Sequence, residues 1–196
     1  MLRKCCLIVL FAILWFPASS NAENNTPWIF FDLGKTLIDH ARDYSRMRYL
    51  PGALDYVKGL KKHGYHLGLL VNWPENEGNG NAEKLRLLKD FVQPKWVDKV
   101  PLDWSLFDAV LFPPKDIYRK PHPYLFIEAL RTAAPNAVVY QGEDKEEIEV
   151  ARNLGLTAHC ITAPPGQGGR VHLLSADELP TLIRESFMYV YPGSGK

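Results

Sequence analysis

The sequence has few cysteines, no excess of charge of one sign and no apolar run long enough to be a typical membrane-spanning helix. Its 196 residues include three cysteines, and two of these are Cys5 and Cys6. Lys and Arg number 23 against 22 Asp and Glu, a formal net charge of +1. This balance gives no sign of a nucleic-acid-binding surface. The longest apolar run ends at Phe16, short of the roughly 20 residues that span a bilayer.

The N-terminal segment has the pattern of a secretory signal peptide. Arg3 and Lys4 precede the apolar run, and a segment of small residues follows it. We predict cleavage after Ala22, so that 1–22 is removed and the mature protein is periplasmic or secreted, with no stable membrane anchor. An uncleaved anchor is the alternative. After cleavage the sequence keeps one cysteine, Cys160, which excludes a disulfide within the mature monomer.

Apolar runs alternate with helical patterns along the mature chain. Short apolar runs predict strands at 28–33, 66–71, 109–112, 137–140 and 157–161. Apolar stripes at helical spacing predict helices at 53–63, 82–91, 123–133 and 146–154, and irregular segments are predicted at 72–81 and 92–107. Strands that are apolar throughout and separated by helices are typical of a parallel sheet covered on both faces. We therefore predict one α/β domain over 23–190, a three-layer, Rossmann-like sheet of about five strands, and a flexible tail at 191–196.

The first predicted strand ends at a carboxylate. Asp32 follows an apolar run and is followed at once by a turn through Gly34. In α/β sheets this is the edge where ligands bind. A carboxylate there is costly to desolvate unless a cation compensates its charge. Asp32 is therefore a candidate nucleophile or metal ligand; the alternative is an aspartate that caps the next turn.

Two later segments carry charged side chains in comparable places. Pro121 stiffens the chain after Lys120, whose ammonium group would then be fixed where it can screen a nucleophile or hold a phosphoryl oxygen. An isolated lysine is nevertheless most often a solvated surface residue. Glu143 and Glu147 follow the fourth predicted strand, and hard divalent cations prefer such oxygen ligands. The alternative for these acids is a helix start that complements the helix dipole.

Taken in order, these segments resemble the four motifs of the haloacid dehalogenase superfamily, most of whose members are magnesium-dependent phosphatases. The resemblance extends over about 28–161, and its motifs correspond to 31–39, 50–72, 119–123 and 142–155. It implies that Asp32 and Lys120 are catalytic. It further implies a phosphorylated substrate held by Thr36 and Asn72, and Mg²⁺ bound by Asp32, the Gly34 carbonyl, Glu143 and Glu147.

The sequence departs from the family pattern at three of the four motifs. Gly34 stands where the phosphatases usually carry a second aspartate that protonates the leaving oxygen and then activates water. Val71 stands where a hydroxyl residue usually holds the phosphoryl group, and Asn72 is the nearest substitute. Glu143 and Glu147 replace an aspartate pair, so the charge is kept on longer side chains.

The spacing of the motifs predicts that the site has no separate cap domain. About a dozen residues separate Asp39 from Pro51, and fewer separate Phe112 from Lys120. An uncapped site is open, and relatives of this kind tend to act on large or extended substrates. Trp73, Trp96 and Trp104 are predicted mainly to pack loops; the alternative is that they form a stacking wall beside the sheet.

These observations favour an exported phosphohydrolase that works through an aspartyl-phosphate at Asp32 with Mg²⁺. The site lacks both the second aspartate, at Gly34, and the phosphate-binding hydroxyl, at Val71. This joint loss supports the alternative, a catalytically impaired relative that binds a ligand or a protein. A different transfer at the same aspartate, such as dehalogenation, is a third and weaker hypothesis.

Overall fold

The computed structural model describes residues 26–161 together with residues 178 and 179. The predicted signal peptide at 1–22 and the predicted tail at 191–196 lie outside these residues. In the part of the chain that is described, no helix has both the length and the apolar character needed to cross a membrane.

Strands and helices alternate as the sequence predicts. The strands are β1 (Trp28–Phe31), β2 (Ile38–His40), β3 (Met47–Tyr49), β4 (His66–Leu70), β5 (Ala109–Leu111), β6 (Val138–Gly142) and β7 (Thr157–Cys160). The helices are α1 (Ala53–Lys62), α2 (Gly80–Val92), α3 (Tyr124–Ala133) and α4 (Lys145–Asn153). Five strands form a parallel sheet in the order β5-β4-β1-β6-β7. The predicted α/β class and the parallel sheet of five strands are confirmed.

Each face of the sheet has its own apolar core, because successive side chains of a strand point to opposite faces. Ile29 and Phe31 of β1 pack with residues of α1 and α2 on one face. Phe30 packs on the other face with residues of α3 and α4. The central strand is therefore buried on both sides, which explains why it is apolar throughout.

The sequence analysis missed a two-stranded antiparallel hairpin, β2–β3, between β1 and α1. Each strand has three residues, too few for a period-2 pattern to stand out. Ile38 and Met47 are buried, whereas Asp39 and Arg48 pair across the outer face. The two hairpin strands are the only regular secondary structure between β1 and α1 in the described residues.

The region from 72 to 107 is more ordered than predicted. Helix α2 begins at Gly80, two residues before the predicted start, and runs to Val92. The segment predicted as irregular at 92–107 contains two short 3₁₀ turns, Gln93–Lys95 and Trp104–Leu106. Trp73 is buried against Phe91 with an edge-on ring contact, so this tryptophan packs a loop as predicted.

Gly68 of β4 gives a test of the core. Phe30 lies opposite it in the neighbouring strand, and a Cβ on Gly68 would lie 2.3 Å from the ring Cε1 atom. Phe30 is completely buried, so the ring has little room to move. We expect Gly68→Ala to lower the free energy of unfolding by about 1–3 kcal/mol, the usual cost of overpacking a core. Urea unfolding would measure it.

Gly59→Ala is the matched control for this substitution. Gly59 lies inside α1, and a Cβ there would meet no atom within 4 Å. Replacing a helical glycine by alanine in open space stabilises by roughly 0.5–1 kcal/mol. Gly68→Ala should therefore lower the urea midpoint, and Gly59→Ala should raise it. Equal shifts would show that the Phe30 ring moves to make room for the new methyl group.

Candidate active site

The predicted site residues gather at the carboxyl edge of the three central strands. Asp32 follows β1, Asn72 lies just beyond β4, and Glu143 follows β6. Together with Gly34 and Glu147 they line a cleft of about 270 Å³. The parallel sheet brings these distant segments together, because parallel strands end at the same edge.

Lys120 lies beneath this cleft with its side chain completely buried. Its Nζ atom donates hydrogen bonds to Asp32 Oδ1 at 2.6 Å, to Glu147 Oε2 at 2.9 Å and to Tyr140 Oη at 3.1 Å. The three donors of the ammonium group are thus all used. The Tyr140 hydroxyl donates in turn to Glu147 Oε2. A fixed positive charge is held against Asp32, as the resemblance implies.

Asn72 positions the backbone of this lysine. Its Nδ2 atom donates to the Lys120 carbonyl at 3.0 Å, and its Oδ1 atom accepts from the Lys120 amide at 2.8 Å. The predicted substrate-binding amide is therefore bonded through both polar atoms within the protein. Asn72 nevertheless lines the cleft, and it ties the end of β4 to the segment that carries Lys120.

Thr36 is buried and connects the two carboxylates on the other side of the cleft. Its hydroxyl donates to Glu143 Oε2 at 2.8 Å and lies 3.5 Å from Asp32 Oδ2. The hydroxyl therefore contacts carboxylates within the protein, and its role in substrate binding stays a prediction. It bridges Asp32 and Glu143.

The electrostatics of the cleft divide its acids into two groups. Burial opposes the charge of Lys120, but the carboxylates of Asp32 and Glu147 outweigh it and raise the lysine pKa. Burial also raises the pKa of Glu147, which the charge of Lys120 partly offsets. Burial and then the charge of Asp32 raise the pKa of Glu143 to about 7. Glu147 thus belongs with the lysine, and Glu143 stands beside Asp32 with its charge poorly compensated.

The raised pKa of Glu143 predicts how stability depends on pH. Its folded-state pKa of about 7 lies above its ordinary value of 4.5, so the folded state holds the proton more tightly. Its contribution to stability is therefore lost as pH rises from 4.5 through 7. Because the side chain is partly solvated, we expect Glu143→Gln to gain only about 1–2 kcal/mol of unfolding free energy at pH 8 in EDTA.

Thermal unfolding of Glu143→Gln at two pH values would check this expectation. At pH 4 both the native carboxyl and the glutamine are neutral, so the variant should match the parent protein there. Glu149→Gln, at an exposed position of α4, is the control and should change little at either pH. A gain that is the same at pH 4 and pH 8 would contradict the electrostatic explanation.

Two residues near the site were missed by the sequence analysis. Tyr140 lies within an apolar strand, and nothing in its spacing sets it apart from a core residue. His40 is the last residue of β2 and lines the cleft beside Gly34. A Cβ on Gly34 would lie 3.3 Å from His40 Nε2. The hairpin that brings His40 here was itself not predicted.

No family model matches the sequence. Phosphoglycolate phosphatase 1 of Pseudomonas aeruginosa is 22% identical over 158 residues, which cover 78% of this chain and 50% of that protein. The chain therefore spans about half the length of the curated relative that it matches.

Solved structures share the architecture. An uncharacterized protein from Listeria monocytogenes serotype 4b superposes with a TM-score of 0.53 at 16% identity, covering 83% of this chain and 97% of that one. A haloacid dehalogenase-like family hydrolase from Streptococcus pneumoniae has a TM-score of 0.49 at 15% identity, covering 85% and 99%. The chain is similar to the haloacid dehalogenase-like hydrolases. The segments that resemble the four motifs meet at one edge of the sheet in this structure.

Proposed function

We propose that this chain is an exported phosphohydrolase that cleaves phosphoesters through an aspartyl-phosphate on Asp32, with Mg²⁺ as its cofactor. The observation that carries the proposal is the 2.6 Å contact between Asp32 and the buried ammonium group of Lys120. A carboxylate at the open edge of a sheet can attack phosphorus. A fixed cation beside it stabilises the charge that develops on the phosphoryl oxygens.

The donor set beside Asp32 fits Mg²⁺. No group of three or more carboxylate, imidazole or thiol side chains within residues 26–161, 178 and 179 is arranged to hold a metal. Mg²⁺ does not require one, because it commonly binds through one or two carboxylates, several waters and substrate phosphate oxygens. Asp32, Glu143 and the Gly34 carbonyl would hold it. When bound, the ion neutralises charge on the two carboxylates and on the phosphoryl group.

The residues of the chain have distinct parts in the proposed reaction. The carboxylate of Asp32 attacks phosphorus and is later released when water cleaves the aspartyl-phosphate. Lys120 offsets the charge of the nucleophile through its hydrogen bond to Asp32 Oδ1, and its fixed positive charge stabilises the phosphoryl group from beneath the cleft. Glu147 and Tyr140 hold the lysine in place, and Glu147 does so in preference to binding the cation because its Oε2 atom already accepts two hydrogen bonds.

Export and an open substrate site complete the proposal. The basic, apolar and small-residue pattern of 1–22 supports a signal peptide. The cleft is lined on one side by Tyr44, Trp73 and Phe91, and the hairpin is the sole element inserted between β1 and α1 in the described chain. These features support a phosphorylated substrate that can extend beyond the cleft.

A binding module built on the same fold is the second candidate function. The observation that favours it is the position of Asn72, whose amide is bonded to the Lys120 backbone, while Val71 offers no hydroxyl. The phosphoryl group would then be held mainly by a cation.

Hydrolysis of an aryl phosphate by the chain beginning at Glu23, with Mg²⁺ or with EDTA, tests the proposal. Turnover that requires Mg²⁺ supports the hydrolase. Background rates across a broad panel of phosphoesters would overturn it and favour the binding module.

A further inference from the structure

The proposed reaction requires a proton donor for the leaving oxygen, and most polar groups of the cleft are already committed. Asp32 is the nucleophile, and Glu143 accepts the hydroxyl hydrogen of Thr36 beside the prospective cation. Glu147 is bonded to Lys120 and Tyr140. Gly34 has no side chain.

His40 and Tyr44 are the remaining side chains on the cleft wall that can donate and accept a proton. Their rings stack with centroids 4.4 Å apart and planes 18° apart. Tyr44 is 46% exposed, which leaves it facing solvent as much as the cleft. His40 is partly buried, and its main-chain carbonyl accepts a hydrogen bond from Lys35 Nζ at 2.7 Å. Lys35 therefore fixes the backbone of His40, and the ring of Tyr44 packs against the face of its imidazole.

The hydrogen bonds of His40 define the direction of its second nitrogen. Nδ1 lies 3.0 Å from the Ala41 carbonyl oxygen. Since a carbonyl can only accept, Nδ1 carries a hydrogen, and Nε2 is left to accept or release a proton. Nε2 points towards Gly34, where a Cβ would lie 3.3 Å away from it and 3.7 Å away from Cδ2.

The space above Gly34 is filled by this ring. Within the described part of the chain, His40 supplies the only atoms, apart from the residues adjoining Gly34 in sequence, within 4 Å of that Cβ position. Gly34 does not have a positive φ, so its backbone conformation would accept a side chain. Gly34, two residues after the proposed nucleophile, has no side chain, and the imidazole of His40 occupies the space that a side chain would need.

We infer that His40 is the proton-transfer residue of this site, acting through Nε2 on the leaving oxygen and then on water; the inference rests on the proposed phosphohydrolase function. In the first step an oxygen of Asp32 bonds to phosphorus while the bond from phosphorus to the leaving oxygen breaks. The proton on Nε2 moves to that oxygen, which departs as an alcohol.

In the second step a water oxygen bonds to phosphorus and the bond to Asp32 breaks, which restores the carboxylate. The proton of that water passes to Nε2, and phosphate is released. Nothing is oxidised or reduced, and Nδ1 keeps its hydrogen, which it donates to the Ala41 carbonyl throughout. His40 therefore begins and ends the cycle in the same protonation state.

The dependence of rate on leaving group tests this role. An alkoxide needs a proton as it departs, whereas p-nitrophenolate does not. We expect His40→Ala to lower kcat/KM for an alkyl phosphate by about 10²–10⁴-fold, the usual contribution of general acid–base catalysis. The fall in kcat/KM for p-nitrophenyl phosphate should be less than about tenfold. Because the second step also loses its base, intact-mass measurement after acid quench should reveal accumulated aspartyl-phosphate.

A second variant distinguishes the loss of a proton-transfer group from a general disturbance of the site. His40→Ala opens the space above Gly34, so the double variant His40→Ala/Gly34→Asp can place a carboxylate there. We expect it to recover at least tenfold of the lost kcat/KM for the alkyl phosphate. The control is His63→Ala, an exposed histidine at the C-terminal end of α1, which should behave as the parent protein.

The outcomes separate this inference from the proposed function. If the parent protein hydrolyses neither substrate with Mg²⁺, the phosphohydrolase proposal fails and the role of His40 fails with it. If the parent is active and His40→Ala changes nothing, or slows both substrates equally without accumulating the intermediate, the role of His40 alone is overturned.

Discussion

Asp32→Asn is expected to abolish magnesium-dependent phosphoester hydrolysis, with a fall in kcat of about 10⁴-fold or more. An asparagine amide cannot form the acyl phosphate, the mixed anhydride through which the proposed reaction proceeds. The substitution should not unfold the protein, because Lys120 keeps Glu147 and Tyr140 as partners. It also removes the Asp32 charge that raises the pKa of Glu143. The measurement is steady-state hydrolysis of an aryl phosphate with Mg²⁺, beside a thermal melt of each protein.

Asp90→Asn is the matched control, since Asp90 is an exposed acid of α2 that pairs with Arg86. It should leave the rate unchanged. Acid quench of the active parent protein, followed by peptide mass mapping, should place the phosphoryl group on the peptide that contains Asp32. Retention of the full rate in Asp32→Asn would show that another group attacks phosphorus.

Lys120→Met is expected to have the largest effect on stability. The lysine is completely buried, and the side chains of Asp32 and Glu147 are 16% and 10% exposed. Removing one member of a buried ion-pair network leaves uncompensated charge and costs about 3–5 kcal/mol. For a chain of this size the corresponding fall in Tm is about 10 °C or more. Guanidinium titration at pH 7 would measure the loss directly.

Two further variants identify the cause of that loss. Lys61→Met breaks a half-exposed ion pair with Asp108 and should cost at most about 1 kcal/mol. Lys120→Met/Glu147→Gln removes one of the stranded charges, so it should be more stable than Lys120→Met alone. If Lys120→Met costs no more than the surface control, the three-residue network contributes little to folding.

The sequence was sufficient to predict the sheet and the residues at its edge. Asp32 and Glu143 each follow a strand whose last three residues are buried, and strand burial determines the apolar pattern from which strands are predicted. Parallel pairing then brings both residues to one edge. Lys120 could be placed there only through the family resemblance, because its own neighbourhood has no periodic pattern.

The partners of those residues were not predictable. Tyr140 reaches Lys120 with its hydroxyl while its ring packs on Phe126 in the core, and an aromatic residue in a strand looks the same in either role. Asn72 was expected to contact substrate, but whether its amide faces the cleft or the backbone depends on the path of a chain segment 48 residues away. His40 depends on a hairpin too short for periodicity to show.

The position of β1 in the middle of the sheet has a consequence for the order in which the protein is made. β1 is the first strand of the described chain, yet its neighbour β6 begins at Val138, and Asp32 pairs with Lys120, 88 positions later. A chain synthesised from its N-terminus carries Asp32 without this lysine until most of the domain exists. Such distant contacts are also the ones that form slowly in folding. The strand that ends at Asp32 is therefore made early and gains its β6 neighbour late.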